Sequence, residues 1–306
     1  MKLFKLVSMI FLYLPIGLSA QQIADENYRP SIDKPAYATG QGPVVFIDEG
    51  HHNFHTKEGR YTSFAQLLER DGYQVKAYTG LFKRDMLNKG KILVISNALN
   101  EANVGRWILP NPSAFTQEEI VTLKKWVEEG GSLFLIADHM PLAGAAADLA
   151  SAFGFTFTNG FVMRNDGDIP SIFSTDKGTL LPSVITWGRN ETEQINEVAT
   201  FTGQAFQIPE GATPVLQFED DHINLLPDTA WRFHDDTKRQ SVEGWSQLAY
   251  MKVAKGRLVV SGEAAMFSAQ LAGPDKRKMG MNSPLATQNH KLLLNIVHWL
   301  DGRIDQ

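Results

Sequence analysis

The chain has no cysteine among its 306 residues. That excludes disulfides, thiolate metal ligands and a cysteine nucleophile together. It also excludes a bacterial lipoprotein anchor, which needs a cysteine after the signal sequence. Basic residues are in deficit: 29 Lys and Arg stand against 34 Asp and Glu, for a net charge of −5. This balance argues against nucleic acid as a partner and against non-specific binding to anionic membrane. The apolar run Leu6–Ile16 is too short and wrongly flanked to span a bilayer, so no stable membrane insertion is expected. There is no internal repeat and no low-complexity tract.

The same run follows Lys2 and Lys5 and precedes the small residues Gly17-Leu18-Ser19-Ala20, the pattern of a cleaved secretory signal peptide. Cleavage is expected to leave a mature chain beginning at Ala20 or Gln21. Without Lys2 and Lys5 its net charge is −7. A periplasmic or secreted bacterial protein is the expectation. Residues 21–42 are polar, with Pro30, Pro35, Gly40 and Gly42, and read as an N-terminal arm.

From residue 43 apolar runs of strand length alternate with helical patterns. Strands are expected at Val44–Ile47, Tyr73–Tyr78, Lys91–Ser96 and Ser132–Ala137. Helices are expected at Tyr61–Arg70, after the capping box Thr116-Gln117-Glu118-Glu119, and at Ala143–Phe153. Such alternation predicts an α/β fold, a flavodoxin-like parallel sheet with helices on both faces. Residues 155–245 break the rhythm and read as a β-rich insertion. A hairpin, Gln247–Val253 with Arg257–Ser261, and a helix, His290–Leu300, close the chain. The α/β domain thus spans 43–302.

Polar residues directly follow four of the apolar runs. The first is followed by Asp48, Glu49, Gly50, His51, His52, Asn53 and His55; three of the eight histidines fall within five residues. The others end in Ser96-Asn97, Asp138-His139 and Glu263. Ligands of open α/β sheets bind at the carboxyl ends of the strands, where such residues meet. Glu49, His51, Asp138, His139 and Glu263 are therefore the candidate catalytic residues, with His52, Asn53, Asn97 and Asn289 as ligand contacts. If the first and fourth strands adjoin, His51 or His52 reaches Asp138-His139 directly.

Two chemistries suit this set. His51, His55 and His139 with a carboxylate are ligands for a divalent metal such as zinc, with an open position for water. Alternatively, a carboxylate with a raised pKa works with a histidine, without metal, on a glycosidic or ester bond. A serine triad at Ser96 or Ser261 is the weakest reading, since neither sits in a Gly-x-Ser-x-Gly turn. His298 reads as structural, and His290 is placed to face the cleft. His222 and His234, among Asp220, Asp221, Asp235 and Asp236, read as a solvated acidic loop. Trp187, Trp231 and Trp245 are available to stack on a sugar ring, though burial is their default.

Three segments carry a resemblance: Asp48-Glu49-Gly50-His51, Gly130–His139 and Gly256–Glu263. They resemble DUF4350-type proteins of the class I glutamine amidotransferase-like superfamily, relatives of gliding-motility ABC-transport accessory domains. The resemblance covers about residues 40–155 and 245–302 and implies the fold. It does not imply glutamine hydrolysis, because the superfamily's cysteine turn is here Asp138-His139. The expected function is an exported hydrolase-like enzyme acting on a small molecule or glycan. The alternative is a non-catalytic envelope module that binds a glycan, peptide or partner protein.

Overall fold

The computed structural model describes residues 22–305. The expected signal peptide lies outside them. Strands β1 (Val44–Asp48), β2 (Gln74–Tyr78), β3 (Ile92–Ser96) and β4 (Ser132–Ile136) form as their β-branched and aliphatic content predicts. They are joined by β5 (Thr156–Phe157), β6 (Phe206–Gln207), β7 (Thr213–Gln217), β8 (Ser246–Val253) and β9 (Gly256–Ser261). The sheet order is β2-β1-β3-β4-β9-β8-β6-β5, with β7 also paired to β8. The first five strands are parallel. From β8 onward the pairing is antiparallel, so the sheet is mixed.

Four longer helices cover it: α1 (Thr62–Arg70), α2 (Gln117–Glu128), α3 (Leu142–Ala152) and α4 (Asn289–Asp301). Side chains along a strand alternate between faces, and the core divides accordingly. Val45, Ile47, Ile92, Val94, Phe134, Ile136 and Val259 pack with α1 and α4. Phe46, Leu93, Ile95, Leu133, Leu135, Leu258 and Val260 pack with α2 and α3. Burial on both faces is why these strands read as unbroken apolar runs. α4 stops at Gly302, whose φ of 82° supplies the left-handed cap.

The first and fourth expected strands do not adjoin, because β3 lies between β1 and β4. The β-rich stretch adds small antiparallel sheets, one of Phe161–Arg164, His222–Leu226 and Lys238–Ser241 and one of Ser171–Ser174 with Glu197–Thr200. The start of the arm, Gln22–Ala24, pairs with Ala269–Ala272.

The β8–β9 turn sits hard against α2 and the start of β4. A Cβ on Gly256 would stand 1.9 Å from the Val127 carbonyl oxygen and 2.3 Å from that of Gly131. Both are backbone atoms that cannot rotate away. Gly256→Ala should therefore destabilise the fold by about 1–3 kcal/mol, as overpacking does. Urea unfolding checks this, and an unchanged midpoint would contradict so close an approach.

Candidate functional site at the carboxyl edge of the sheet

Register brings the strand ends level. Ser96 pairs with Ile136, and Ile136 with Ser261, so Asp138 and Glu263 each stand two residues beyond a matched pair. Ile47 pairs with Val94, which places Glu49 level with Ser96. The parallel strands thus deliver their polar ends to one edge.

His51 does not face that edge as a free ligand. Its Nδ1 lies 3.0 and 2.9 Å from the two carboxylate oxygens of Asp48, and its Nε2 lies 2.9 Å from Glu119 Oε1. Burial works against charge on His51, but the hydrogen bonds and charges of Asp48 and Glu119 outweigh it and hold its pKa above the ordinary value. The ring is 4% exposed and lies between Phe82 and Phe115, at centroid distances of 4.5 and 4.9 Å. Glu119 is the last residue of the expected capping box. Its Oε2 accepts from the Thr116 backbone and hydroxyl, while Oε1 also takes the Phe82 N–H. The cap of α2 therefore locks the histidine loop, and His51 is a structural brace rather than a catalytic residue.

Asn97 joins the two halves of the edge. It ends β3 with a φ of 51°, a left-handed conformation that asparagine tolerates better than most residues. Its Oδ1 accepts from the Asp138 N–H at 2.9 Å, and its Nδ2 lies 3.2 Å from His55 Nδ1. Its backbone N–H donates to Ile136 and its carbonyl accepts from Phe54, both at 2.9 Å. These bonds make Asn97 a positioning residue that ties the histidine loop to the Asp138 turn. His55 is 3% exposed, and burial, with Arg60 nearby, lowers its pKa to about 3. The neutral ring accepts the Asn97 amide hydrogen at Nδ1.

Asp138 and Glu263 form the acidic heart of the edge. Glu263 is 1% exposed; burial first, and then the neighbouring Asp138 carboxylate, push its pKa well above the usual range. Its oxygens accept from the backbone N–H of Ala265 and Met266, at 2.9 and 2.7 Å. These bonds favour the carboxylate, but burial and the like charge prevail. Tyr61 closes the cluster from α1's entry. It is fully buried, and burial, with the charges of Glu263 and Asp138, raises its phenol pKa as well. Its hydroxyl donates to Ala264 O at 3.1 Å.

Asp138 and His139 reach the surface barely, at 8% and 7% exposure. Asp138 Oδ1 accepts the His139 N–H at 2.8 Å. His139 Nδ1 donates to Met140 O at 2.7 Å, leaving Nε2 as an acceptor 3.9 Å from Asp138 Oδ1. The imidazole stacks on Phe161 at 4.2 Å and meets the edges of Trp231 and Trp107 at 4.7 and 6.0 Å. Trp231 remains 50% exposed. A surface depression of 690 Å³ lies nearby in sequence but apart from this pair, lined by Leu109–Ser113, Gly144, Ala147, Asp148 and Asn159.

The other expected site residues serve the backbone. Glu49 accepts the Lys57 N–H at 2.8 Å. Asn53 accepts from His51 N and donates to Asp48, closing a tight turn. His52 is exposed, with a φ of 48°. Asn289 is fully buried and exchanges hydrogen bonds with both backbone groups of Ala199. The proposed metal trio also fails to assemble: His51 spends both nitrogens on carboxylates, His55 faces Asn97, and His139 faces Met140 and Phe161. Among the described residues no group of three or more His, Asp or Glu is arranged to hold a metal ion. His222 is not in a solvated loop but begins a strand and is 8% exposed. Sequence reasoning missed Tyr61, which reads as ordinary core, and the contact of Glu119 with His51, for which the capping box was the one visible signal.

No protein-family model matches the chain, and no curated protein matches it. Among solved structures it is similar to the mmIFT52 N-terminal domain, with a TM-score of 0.59 at 15% identity over 84% of this chain and 97% of that one. It is also similar to a ThuA-like protein from Bacteroides uniformis, with a TM-score of 0.46 at 11% identity over 86% of this chain and 93% of that one. A β-galactosidase from Bacillus circulans gives 0.44 at 8% identity, over 86% of this chain and 31% of that one. At these identities the likeness is one of fold. No helix of the described residues is long and apolar enough to cross a membrane.

A raised carboxyl pKa has a defined signature in stability. The neutral Glu263 contributes most below the ordinary carboxylate pKa, and that contribution is lost as pH rises toward the folded value. Through this window one such group costs up to about 1.4 kcal/mol per pH unit. His55 acts at the other end: stability falls as pH drops from 6.5 toward about 3, because only the unfolded chain takes up that proton readily. Glu263→Gln should therefore lose less stability than the wild type between pH 5 and pH 8. Urea unfolding at several pH values reads this directly, and parallel curves for the two proteins would count against a protonated Glu263.

Proposed function

We propose that the protein is an exported hydrolase-like enzyme that attacks a carbohydrate substrate at the Asp138–His139 edge. The observation that carries this reading is the pairing of two carboxyl groups whose environments differ. Burial and the neighbouring Asp138 push the Glu263 carboxyl up in pKa, toward its protonated form, while Asp138, at 8% exposure, is the member nearer solvent. Asp138 Oδ1 and His139 Nε2 are 3.9 Å apart, a separation at which one water or hydroxyl bonds to both. Asp138 then takes the proton of a water that His139 Nε2 orients as an acceptor, and returns that proton to the departing oxygen. Trp107 and the half-exposed Trp231 supply apolar faces of the kind that stack on sugar rings.

The strand order β2-β1-β3-β4-β9 supports a flavodoxin-like core with the β-rich stretch as its insertion. The sequence resemblance to DUF4350-type proteins is part of the same proposal, as is export through the N-terminal signal sequence. A second reading is a non-catalytic envelope module at the same cleft. It is favoured by how tightly Asp138, His139 and Glu263 are enclosed, at 8%, 7% and 1% exposure.

The two readings part on turnover. On a panel of 4-nitrophenyl glycosides, the wild type should release nitrophenol, and Asp138→Asn and His139→Gln should lower kcat by about 100-fold or more. Calorimetric binding of the same glycosides should survive in the variants. Binding without turnover by the wild type would support the module instead, and neither binding nor turnover would contradict the carbohydrate assignment.

A further inference from the structure

A second group of side chains lies outside that edge, in the β-rich stretch. His222 Nε2 stands 2.9 Å from Ser171 Oγ, and its Nδ1 stands 2.5 Å from Asp221 Oδ1. Asp221 holds the Nδ1 proton, so Nε2 is the acceptor and the Ser171 hydroxyl donates to it. The connectivity is serine oxygen, far imidazole nitrogen, near imidazole nitrogen, carboxylate. Such a triad is recognised by geometry and role rather than by position in the chain.

The supporting elements fix each member. His222 begins a strand and pairs in register with Arg164 on the neighbouring one, which puts both side chains on the same face. Ser171 opens the strand Ser171–Ser174, is only partly buried, and faces the imidazole from a different small sheet. Phe218 and Phe173 pack against the His222 ring, at centroid distances of 4.9 and 6.3 Å. A structural histidine needs only one of these polar partners, and a serine at a strand start needs neither.

Arg164 adds the remaining part. Its guanidinium bonds to Asp166, yet its Nε is buried with no hydrogen-bond partner. The register with His222 puts this unpaired donor on the same face of the strand pair as the imidazole.

We infer that Ser171, His222 and Asp221 form a serine-nucleophile site that hydrolyses small, uncharged carboxylic esters. The reaction balances as an acyl transfer to water. Ser171 Oγ bonds to the ester carbonyl carbon while its proton passes to His222 Nε2. The carbonyl oxygen takes the negative charge on the face that also carries the Arg164 guanidinium. Collapse breaks the bond to the alcohol oxygen, which leaves with the proton from His222. Water then adds to the acyl-serine, gives a proton to His222, and releases the carboxylic acid as Ser171 recovers its own. Asp221 keeps the imidazole in the required tautomer throughout.

The surroundings select the substrate class. Asp166, Asp220 and Asp221 repel an anionic ester, and Arg164 is already paired. Phe173 and Phe218 are each 2% exposed and closed into the core, which leaves no channel between them for a long acyl chain. The site is distinct from Asp138–His139. Phe161, which stacks on His139, lies three residues and roughly 10 Å along the strand from Arg164.

The test treats the full chain with a fluorophosphonate probe, maps adducts by peptide mass spectrometry, and follows 4-nitrophenyl acetate hydrolysis. The expected result is an adduct on Ser171 that is suppressed in His222→Gln. Ester hydrolysis should fall by about 100-fold in Ser171→Ala, and less steeply in Asp221→Asn. Ser171→Ala removes one hydroxyl from a partly exposed position, and a circular dichroism melt verifies that its fold is kept. Absence of a Ser171 adduct, or an undiminished rate in a folded Ser171→Ala protein, overturns the inference. Neither outcome depends on whether the protein acts on glycosides.

Discussion

The Asn97 carboxamide spans the gap between two strands that do not touch. With β3 between β1 and β4, the histidine loop and the Asp138–His139 turn have no direct backbone pairing. Asn97 supplies the link, taking the Asp138 N–H on its oxygen and giving its amide hydrogen to His55. The left-handed φ of this residue aims the side chain across the edge rather than along the strand. The rest of the edge depends on this span, because Asp138 orients His139 and lies beside Glu263.

Around that link the buried ionisable groups are divided by charge state. His51 lies between Asp48 and Glu119 and is favoured as a cation, which gives two buried carboxylates a partner. His55 is held toward its neutral form, and Glu263 toward its protonated one. Each arrangement avoids the cost of an unpaired buried charge. The result is an edge where Asp138, with His139 beside it, is the carboxyl group nearer solvent, framed by aromatic rings. Two small antiparallel sheets apart from the central one carry His222, on the sheet that also holds Phe161, and Ser171, so the β-rich stretch contributes chemistry of its own.

Much of the fold was legible because its strands are buried on both faces. Val44–Asp48, Ile92–Ser96 and Ser132–Ile136 announce themselves as short apolar runs, and Thr116–Glu119 marks a helix start by its capping chemistry. The level strand ends drew attention to Asp138, His139 and Glu263, which the register brings to one edge. Strand order was not legible, since sequence adjacency does not fix which runs pair, and the placement of β3 separates His51 from His139. The density of histidines after β1 misled for a physical reason. A buried imidazole between carboxylates and a neutral imidazole accepting an amide hydrogen look alike in sequence, and both differ from a metal ligand only in their partners. The Ser171–His222 contact joins residues 51 positions apart across two sheets, beyond the reach of any local pattern.

The account rests on one proton being kept at Glu263 beside Asp138. Infrared difference spectroscopy on protein with carboxyl-labelled glutamate, compared with Glu263→Gln, measures that proton directly. The account predicts a protonated carboxyl band at pH 7 that is lost only in the variant. A Glu263 that is fully ionised at pH 7, titrating in the ordinary carboxylate range, would contradict it.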